Sequence, residues 1–162
     1  MNARTSAVIV TTLGLLAFVP GASKAAENPF AHFNGNWSGT GKITVQNGSS
    51  ERIRCRGAYR VGETGDKLAL RLTCASDSYK FELQSDIKYD GGNISGSWNE
   101  QSRQIYGQLA GRANPNSIQA TAETVGFSAQ ISIATRGNSQ NVSIRSPGSD
   151  ISEVLISLSR SK

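Results

Sequence analysis

The chain has 162 residues, with 17 Lys and Arg against 12 Asp and Glu, 17 Gly, 4 Pro and 18% charged residues. That length suits one domain, and that composition excludes a coiled coil, a collagen and a disordered polyelectrolyte. A single His and two Cys exclude most metal sites built from protein ligands alone, so neither a metal nor a cofactor is expected.

Residues 1–25 read as a secretory signal. Arg4 precedes an apolar run from Ala7 to Val19, broken only by Thr11, Thr12 and Gly14. Pro20-Gly21 ends the run, and Ser23 and Ala25 supply small residues at the −3 and −1 positions of a cleavage site. The run is shorter than the ~20 residues that span a bilayer, which favours a signal over an anchor. No cysteine follows it to carry a lipid. Cleavage removes Arg4 and Lys24, leaving 15 basic residues against 12 acidic ones, a charge of +3 instead of +5. The mature protein is expected in a periplasm or outside the cell, with no transmembrane segment. Residues 26–34 read as a flexible lead-in, and residues 35–162 as the folded domain. Asn36, Asn47, Asn93 and Asn141 each begin an Asn-x-Ser sequon. These are glycosylation sites in a eukaryotic pathway and chance matches in a bacterial one, which the leader suits equally well.

Beyond Glu27 no helical period is sustained. Period-two alternation recurs instead, punctuated by Gly, Asn, Asp and Ser. It predicts strands at Trp37–Val45, Arg52–Val61, Lys67–Cys74, Tyr79–Tyr89, Asn93–Asn99, Arg103–Arg112, Ser117–Glu123, Phe127–Thr135, Asn141–Arg145 and Ile151–Ser159. Short connections join them, among them Asn47-Gly48, Asp90-Gly91-Gly92, Asn114-Pro115-Asn116 and Arg136-Gly137-Asn138. The expected fold is all-β, an antiparallel up-and-down meander of about 8–10 strands closed or nearly closed into a barrel, because closure removes exposed edges.

Cys55 and Cys74 lie on consecutive strands, and opposed residues of a hairpin share a constant number sum. Pairing the two cysteines also pairs Gly57 with Leu72, Tyr59 with Leu70 and Val61 with Leu68, so apolar positions meet on one buried face. A cross-strand disulfide is expected, worth about 3 kcal/mol in the chain-entropy account of a loop of that size. It suits an oxidising compartment, where two free buried thiols are the alternative. The spacing is not that of a catalytic dithiol.

Arg52, Arg54, Arg56 and Arg60 occupy the opposite parity and should face solvent. Turning the first hairpin about Asn47-Gly48 pairs Ile43 with Cys55 and sets Lys42 opposite Arg56. Turning the third about Asp77 pairs Leu72 with Phe81 and sets Arg71 opposite Glu82. One outer face then carries Lys42, Arg52, Arg54, Arg56, Arg60, Arg71 and Lys80 against Glu82. Such a stripe attracts an envelope polyanion, an anionic lipid or an acidic polysaccharide. A solvated sheet face that resists aggregation has the same composition. Tyr59 and Tyr79 fall on the other parity, which argues against a dedicated nucleic-acid surface.

The inner face is uneven. Ile53, Tyr59, Leu68, Leu70, Leu72, Tyr79, Phe81 and Leu83 are large, whereas the later strands bring Gly96, Gly107, Gly111, Ala120, Ala122 and Ala129 beside Trp98, Ile105 and Phe127. Large residues filling the space of small ones give a packed interior, and unfilled space gives a ligand cavity. The candidate lining residues are Trp37, Tyr59, Leu70, Phe81, Trp98 and Phe127.

Gly35-Asn36-Trp37 at the first strand and Arg160 after the last resemble the Gly-x-Trp and terminal Arg of the calycin barrels, the lipocalins and avidins. The resemblance implies that Arg160 packs on Trp37. The helix that lipocalins carry after the barrel has no counterpart in the sequence. A longer stretch resembles small exported proteins of alphaproteobacteria to which no activity is assigned. It is carried by Glu51-Arg52-Ile53-Arg54-Cys55-Arg56, Leu72-Thr73-Cys74-Ala75-Ser76-Asp77-Ser78-Tyr79, Ile94-Ser95-Gly96-Ser97-Trp98 and Thr135-Arg136-Gly137. That resemblance implies a small exported β-barrel.

Signatures of catalysis fail at specific residues. Gly39-Thr40-Gly41-Lys42 has the end of a phosphate-binding loop, but Asn36 stands in place of its first glycine and Ile43 in place of its Ser or Thr. His32 precedes the first strand, where a triad would need it held beside a carboxylate. Asp86 and Asp90 flank a turn, where exposed acids are ordinary. The sequence therefore reads as a non-enzymatic exported binding barrel for an anionic or amphipathic envelope component. A periplasmic inhibitor of a lysozyme or protease, and a purely structural envelope protein, are the other readings.

Overall fold

Residues 28–161 are described by a computed structural model. The segment read as a signal, residues 1–25, lies outside the described residues. Ten strands follow in order: β1 (Gly35–Val45), β2 (Ser50–Val61), β3 (Lys67–Ala75), β4 (Lys80–Asp90), β5 (Asn93–Glu100), β6 (Ile105–Asn114), β7 (Ser117–Thr124), β8 (Phe127–Arg136), β9 (Ser139–Arg145) and β10 (Ile151–Arg160). Every strand expected from the alternation is present, its ends within two residues of the observed ones. Each strand pairs antiparallel with the next, and β1 pairs with β10, so the sheet closes into a barrel. Alternation is the local cause: along β2, Ile53, Cys55, Gly57 and Tyr59 are buried while Arg52, Arg54, Arg56 and Arg60 are exposed. The tight β4–β5 turn is made by Gly91 and Gly92, both at positive φ (53° and 93°), the conformation a two-residue hairpin demands of both central residues.

The β2–β3 register is the expected one, with Cys55 opposite Cys74, Tyr59 opposite Leu70 and Val61 opposite Leu68. Cys55 and Cys74 form a disulfide inside the barrel. Two other registers differ from expectation. In β1–β2, Cys55 faces Gly39 rather than Ile43, and Lys42 faces Arg52 rather than Arg56. The cause is a tighter turn centred on Asn47 instead of Ser49, in which Gly48 N–H bonds Val45 O and the Asn47 side chain accepts from Ser49 N. In β3–β4, Leu72 faces Leu83 rather than Phe81, and Arg71 faces Gln84 rather than Glu82. Here Ser76 closes the turn, its N–H donating to Tyr79 O while its Oγ accepts from Tyr79 N. Both shifts are even-numbered, so pairings change but faces do not.

The two ends of the barrel differ. At the end holding the β2–β3, β4–β5, β6–β7 and β8–β9 turns, the chain before β1 folds over the opening. This part of the segment expected to be flexible, Asn28–Asn34, is packed. Phe30 and Phe33 are fully buried, Phe33 beside Tyr59 and Phe30 edge-on to Tyr89. The apolar payload of two phenylalanines drives this docking. Trp37 Nε1 donates to Phe33 O (2.9 Å). Arg160 lies 4.3 Å from the Trp37 ring centroid and donates to the carbonyls of His32 and Asn34. The Arg–Trp contact implied by the calycin resemblance is thus present, in a barrel with ten strands where lipocalins have eight. Beneath it, Tyr59 Oη donates to Gln140 Oε1 (2.7 Å), and Gln140 Nε2 donates to Thr135 Oγ1 (3.0 Å). These buried polar groups partner one another, as burial requires. Burial also pushes the Tyr59 phenol well above its ordinary pKa, a rise the Gln140 bond only partly opposes.

Candidate functional site

The opposite end of the barrel is open. A cavity of about 340 Å³ enters it between the starts of β4, β6, β8 and β10 and the ends of β5 and β9. Its apolar wall includes Phe81, Leu83, Trp98, Ile105, Phe127 and Ile144. Trp98 and Phe127 meet with ring centroids 5.7 Å apart, and Trp98 Nε1 donates to Gln108 O, which fixes the indole. The volume lies within the range of small-molecule sites.

Glu100, Arg103 and Asp150 bring charge to this wall. Glu100 accepts hydrogen bonds from the backbone N–H groups of Glu82 (2.8 Å), Ser102 (3.2 Å) and Arg103 (2.7 Å). Burial pushes its carboxyl up, but the three N–H donors outweigh burial and hold it below the usual carboxylate range. The carboxylate thereby fixes the β5–β6 loop, whose Gln104 has a positive φ of 55°. That loop presents Arg103. Its guanidinium touches Glu100 only at 3.7 Å and is about half exposed, so most of its donors remain for another partner.

Of the candidate lining residues, Phe81, Trp98 and Phe127 lie together around this mouth. Trp37 and Tyr59 instead belong to the packed, closed end, and Leu70 packs at the edge of the core. The interior is therefore filled at one end and hollow at the other. Sequence parity places Leu83 and Ile105 inside, but nothing local marks which end is plugged. Arg103, expected to begin a strand, lies in the loop before β6, and the only sequence signal for its role is its place beside that turn.

Lys42, Arg52, Arg54, Arg56, Arg60 and Arg71 are all exposed on the outer face. Among the described residues the ion pairs are Lys80–Glu82, Arg103–Glu100 and Arg145–Glu153, and none of the six stripe residues joins one. Glu82 thus pairs with Lys80 rather than Arg71. Arg60 donates to Asn36 Oδ1 (3.0 Å). His32 Nδ1 lies 2.9 Å from Asn116 Oδ1, and among the described residues no carboxylate pairs with it. Among the described residues no three His, Cys, Asp or Glu side chains gather to hold a metal ion, and no helix is long and apolar enough to cross a membrane.

By sequence, the chain matches no family profile and no curated protein. Solved structures share its fold. Rv2717c from M. tuberculosis aligns with a TM-score of 0.62 at 13% identity, over 82% of this chain and 95% of its own. A protein of unknown function from the DUF3598 family of Nostoc punctiforme aligns with a TM-score of 0.60 at 12% identity. The match covers 87% of this chain but only 53% of that one. The S-type phycobiliprotein lyase CPES from Guillardia theta aligns with a TM-score of 0.55 at 10% identity, over 82% of this chain and 90% of its own. At these identities the likeness shows the fold alone, an antiparallel β-barrel. It also corrects one expectation. The failed catalytic motifs set this chain apart from enzymes, yet a barrel of the same fold is named a lyase. The exclusion of enzymes therefore does not stand.

Proposed function

We propose that this chain is an exported barrel that receives a small amphipathic molecule in its open mouth. The apolar body lies against Phe81, Trp98 and Phe127, and the polar end meets Arg103 and Asp150 at the rim. The observation that carries this reading is the asymmetry of the interior, plugged by Phe30 and Phe33 at one end and hollow over about 340 Å³ at the other. A folding requirement alone accounts for a filled core, whereas an aromatic-lined opening with spare cationic donors is the ordinary build of a ligand site. That a barrel of the same fold is named a phycobiliprotein lyase supports a barrel that acts on a partner molecule. The leader and the Cys55–Cys74 disulfide support export, with cleavage after Ala25 and residence in a periplasm or the medium.

Trp98 lines the mouth while Trp37 is sealed at the far end, so one indole reports on the site. Titration with amphiphiles carrying an alkyl chain of ten to fourteen carbons should shift Trp98 emission, and Trp98→Phe should abolish the shift. Phe127→Ala should weaken binding about tenfold through lost apolar contact. Arg103→Gln should weaken carboxylate-headed amphiphiles more than alcohols of equal length. Unchanged Trp98 emission across the series would sink the proposal.

A further inference from the structure

We propose a second site, on the outside of the barrel: a groove across β8, β9, β10, β1 and β2 that takes an acidic polysaccharide chain. The groove holds about 700 Å³. Its concavity has a local cause. The wall residues Thr40, Ser132, Ser143 and Ser157 are all small. These short outward side chains, around the larger Leu155, leave a trough on the sheet's outer surface.

The chemistry of the trough is two-part. One wall carries Lys42 and Arg52, placed directly opposite each other by the register, beside Glu51, whose carboxylate accepts from Ser78 N–H. Like charges so placed repel, and neither has an acidic partner among the described residues. An anion set between them removes the repulsion, and the arginine fork suits a carboxylate or sulfate bidentately. The other wall is hydroxyl and amide. Asn141 meets Ser157 Oγ through its side-chain oxygen (3.1 Å) without using its two N–H donors. Ser132 accepts from Gln119 Nε2 (2.7 Å) and keeps its own O–H to donate. Donors and acceptors interleaved over a shallow polar trough match the hydroxyl-covered faces of sugar rings. No aromatic ring lines the groove, so it lacks the stacking platforms that single-stranded nucleic acid uses. The site lies on the outer face and does not depend on the mouth.

The test is calorimetric titration of the full chain with a heparin-derived hexasaccharide, a dextran of equal length and an oligothymidylate of equal charge. The hexasaccharide is expected to bind, and the dextran to bind far more weakly. Lys42→Gln with Arg52→Gln should weaken it about tenfold and lower the slope of log affinity against log salt by about 2. Lys88→Gln with Arg112→Gln changes the net charge equally on another part of the outer face, and should leave affinity nearly unchanged. Ser132→Val with Ser143→Val keeps every charge and should still weaken binding about threefold. These residues are surface positions, and an unaltered melting temperature verifies folding. Equal losses in the two charge variants would reduce the effect to net charge and overturn the site. Oligothymidylate binding as tightly as the hexasaccharide, or an inert Ser132/Ser143 variant, would overturn the assignment to polysaccharide.

Discussion

Glu100 is an ionised carboxylate in a largely buried place, and its three backbone partners explain how it stays so. Its folded pKa lies below the ordinary carboxyl value, near 4.3. Its stabilisation is therefore complete above that value and is lost as pH falls through the lower, folded one, because only there does the native state take up the proton. Glu100→Gln removes this contribution and should cost roughly 1–3 kcal/mol at pH 7. The gap between the denaturant midpoints of wild type and variant should shrink below about pH 4. A gap constant from pH 7 to pH 3 would show that the charge of Glu100 is not what holds the loop. The alternation placed Glu100 near the end of a strand, but its donors come partly from Glu82, on the neighbouring strand, which sequence spacing does not reveal.

At several inward glycines the neighbouring backbone leaves no room for a side chain. A Cβ on Gly39 would sit 2.0 Å from Ser157 O, whereas one on Gly57 would make ordinary contact, its nearest neighbour Tyr59 Cε2 at 3.4 Å. Both are inward positions in a barrel strand, and the close approach seen at Gly39 recurs away from the β1–β10 seam, at Gly96, Gly107 and Gly111. Gly39→Ala should lower stability by about 1–3 kcal/mol through forced displacement of the seam, and Gly57→Ala by much less. Chemical denaturation of the two variants checks this, and equal effects would mean the seam is not under such constraint. The same elements show where register is legible. The β2–β3 pairing was readable because a disulfide and three apolar pairs agree on one sum. β1–β2 and β3–β4 lacked such a tie, and the side chains of Asn47 and Ser76, by bonding their own turns, set the hairpin length.

Across the whole barrel, order should follow the asymmetry of the two ends. Amide exchange is slowest where backbone groups lie under buried contacts. It should be slowest in Trp37, Tyr59 and Gln140, beneath the Phe30 and Phe33 plug, and faster in the β5–β6 and β7–β8 turns around the mouth. Uniform protection at the two ends would contradict a barrel sealed at one end only. The outer surface divides in the same global sense. The stripe and the trough share Lys42 and Arg52, and only closure of β1 onto β10 brings the hydroxyl strands β8–β10 beside those two cations.

Strand identity, the parity of each side chain and the disulfide were determined by the sequence itself. Period-two alternation is a property of neighbouring residues, and burial of one face follows wherever such strands pair. The tertiary structure decided which end of the barrel is plugged, which candidate lining residues share a cavity, and which cations meet. Phe30 and Phe33 are two apolar residues in an unpatterned segment. Their effect depends on an opening made by turns tens of residues away. Trp37, Tyr59, Trp98 and Phe127 look equivalent by parity, and their height along the barrel axis separates core from mouth. That height is set by the stagger accumulated through ten pairings, a sum of turn lengths and bulges that no single stretch of sequence carries.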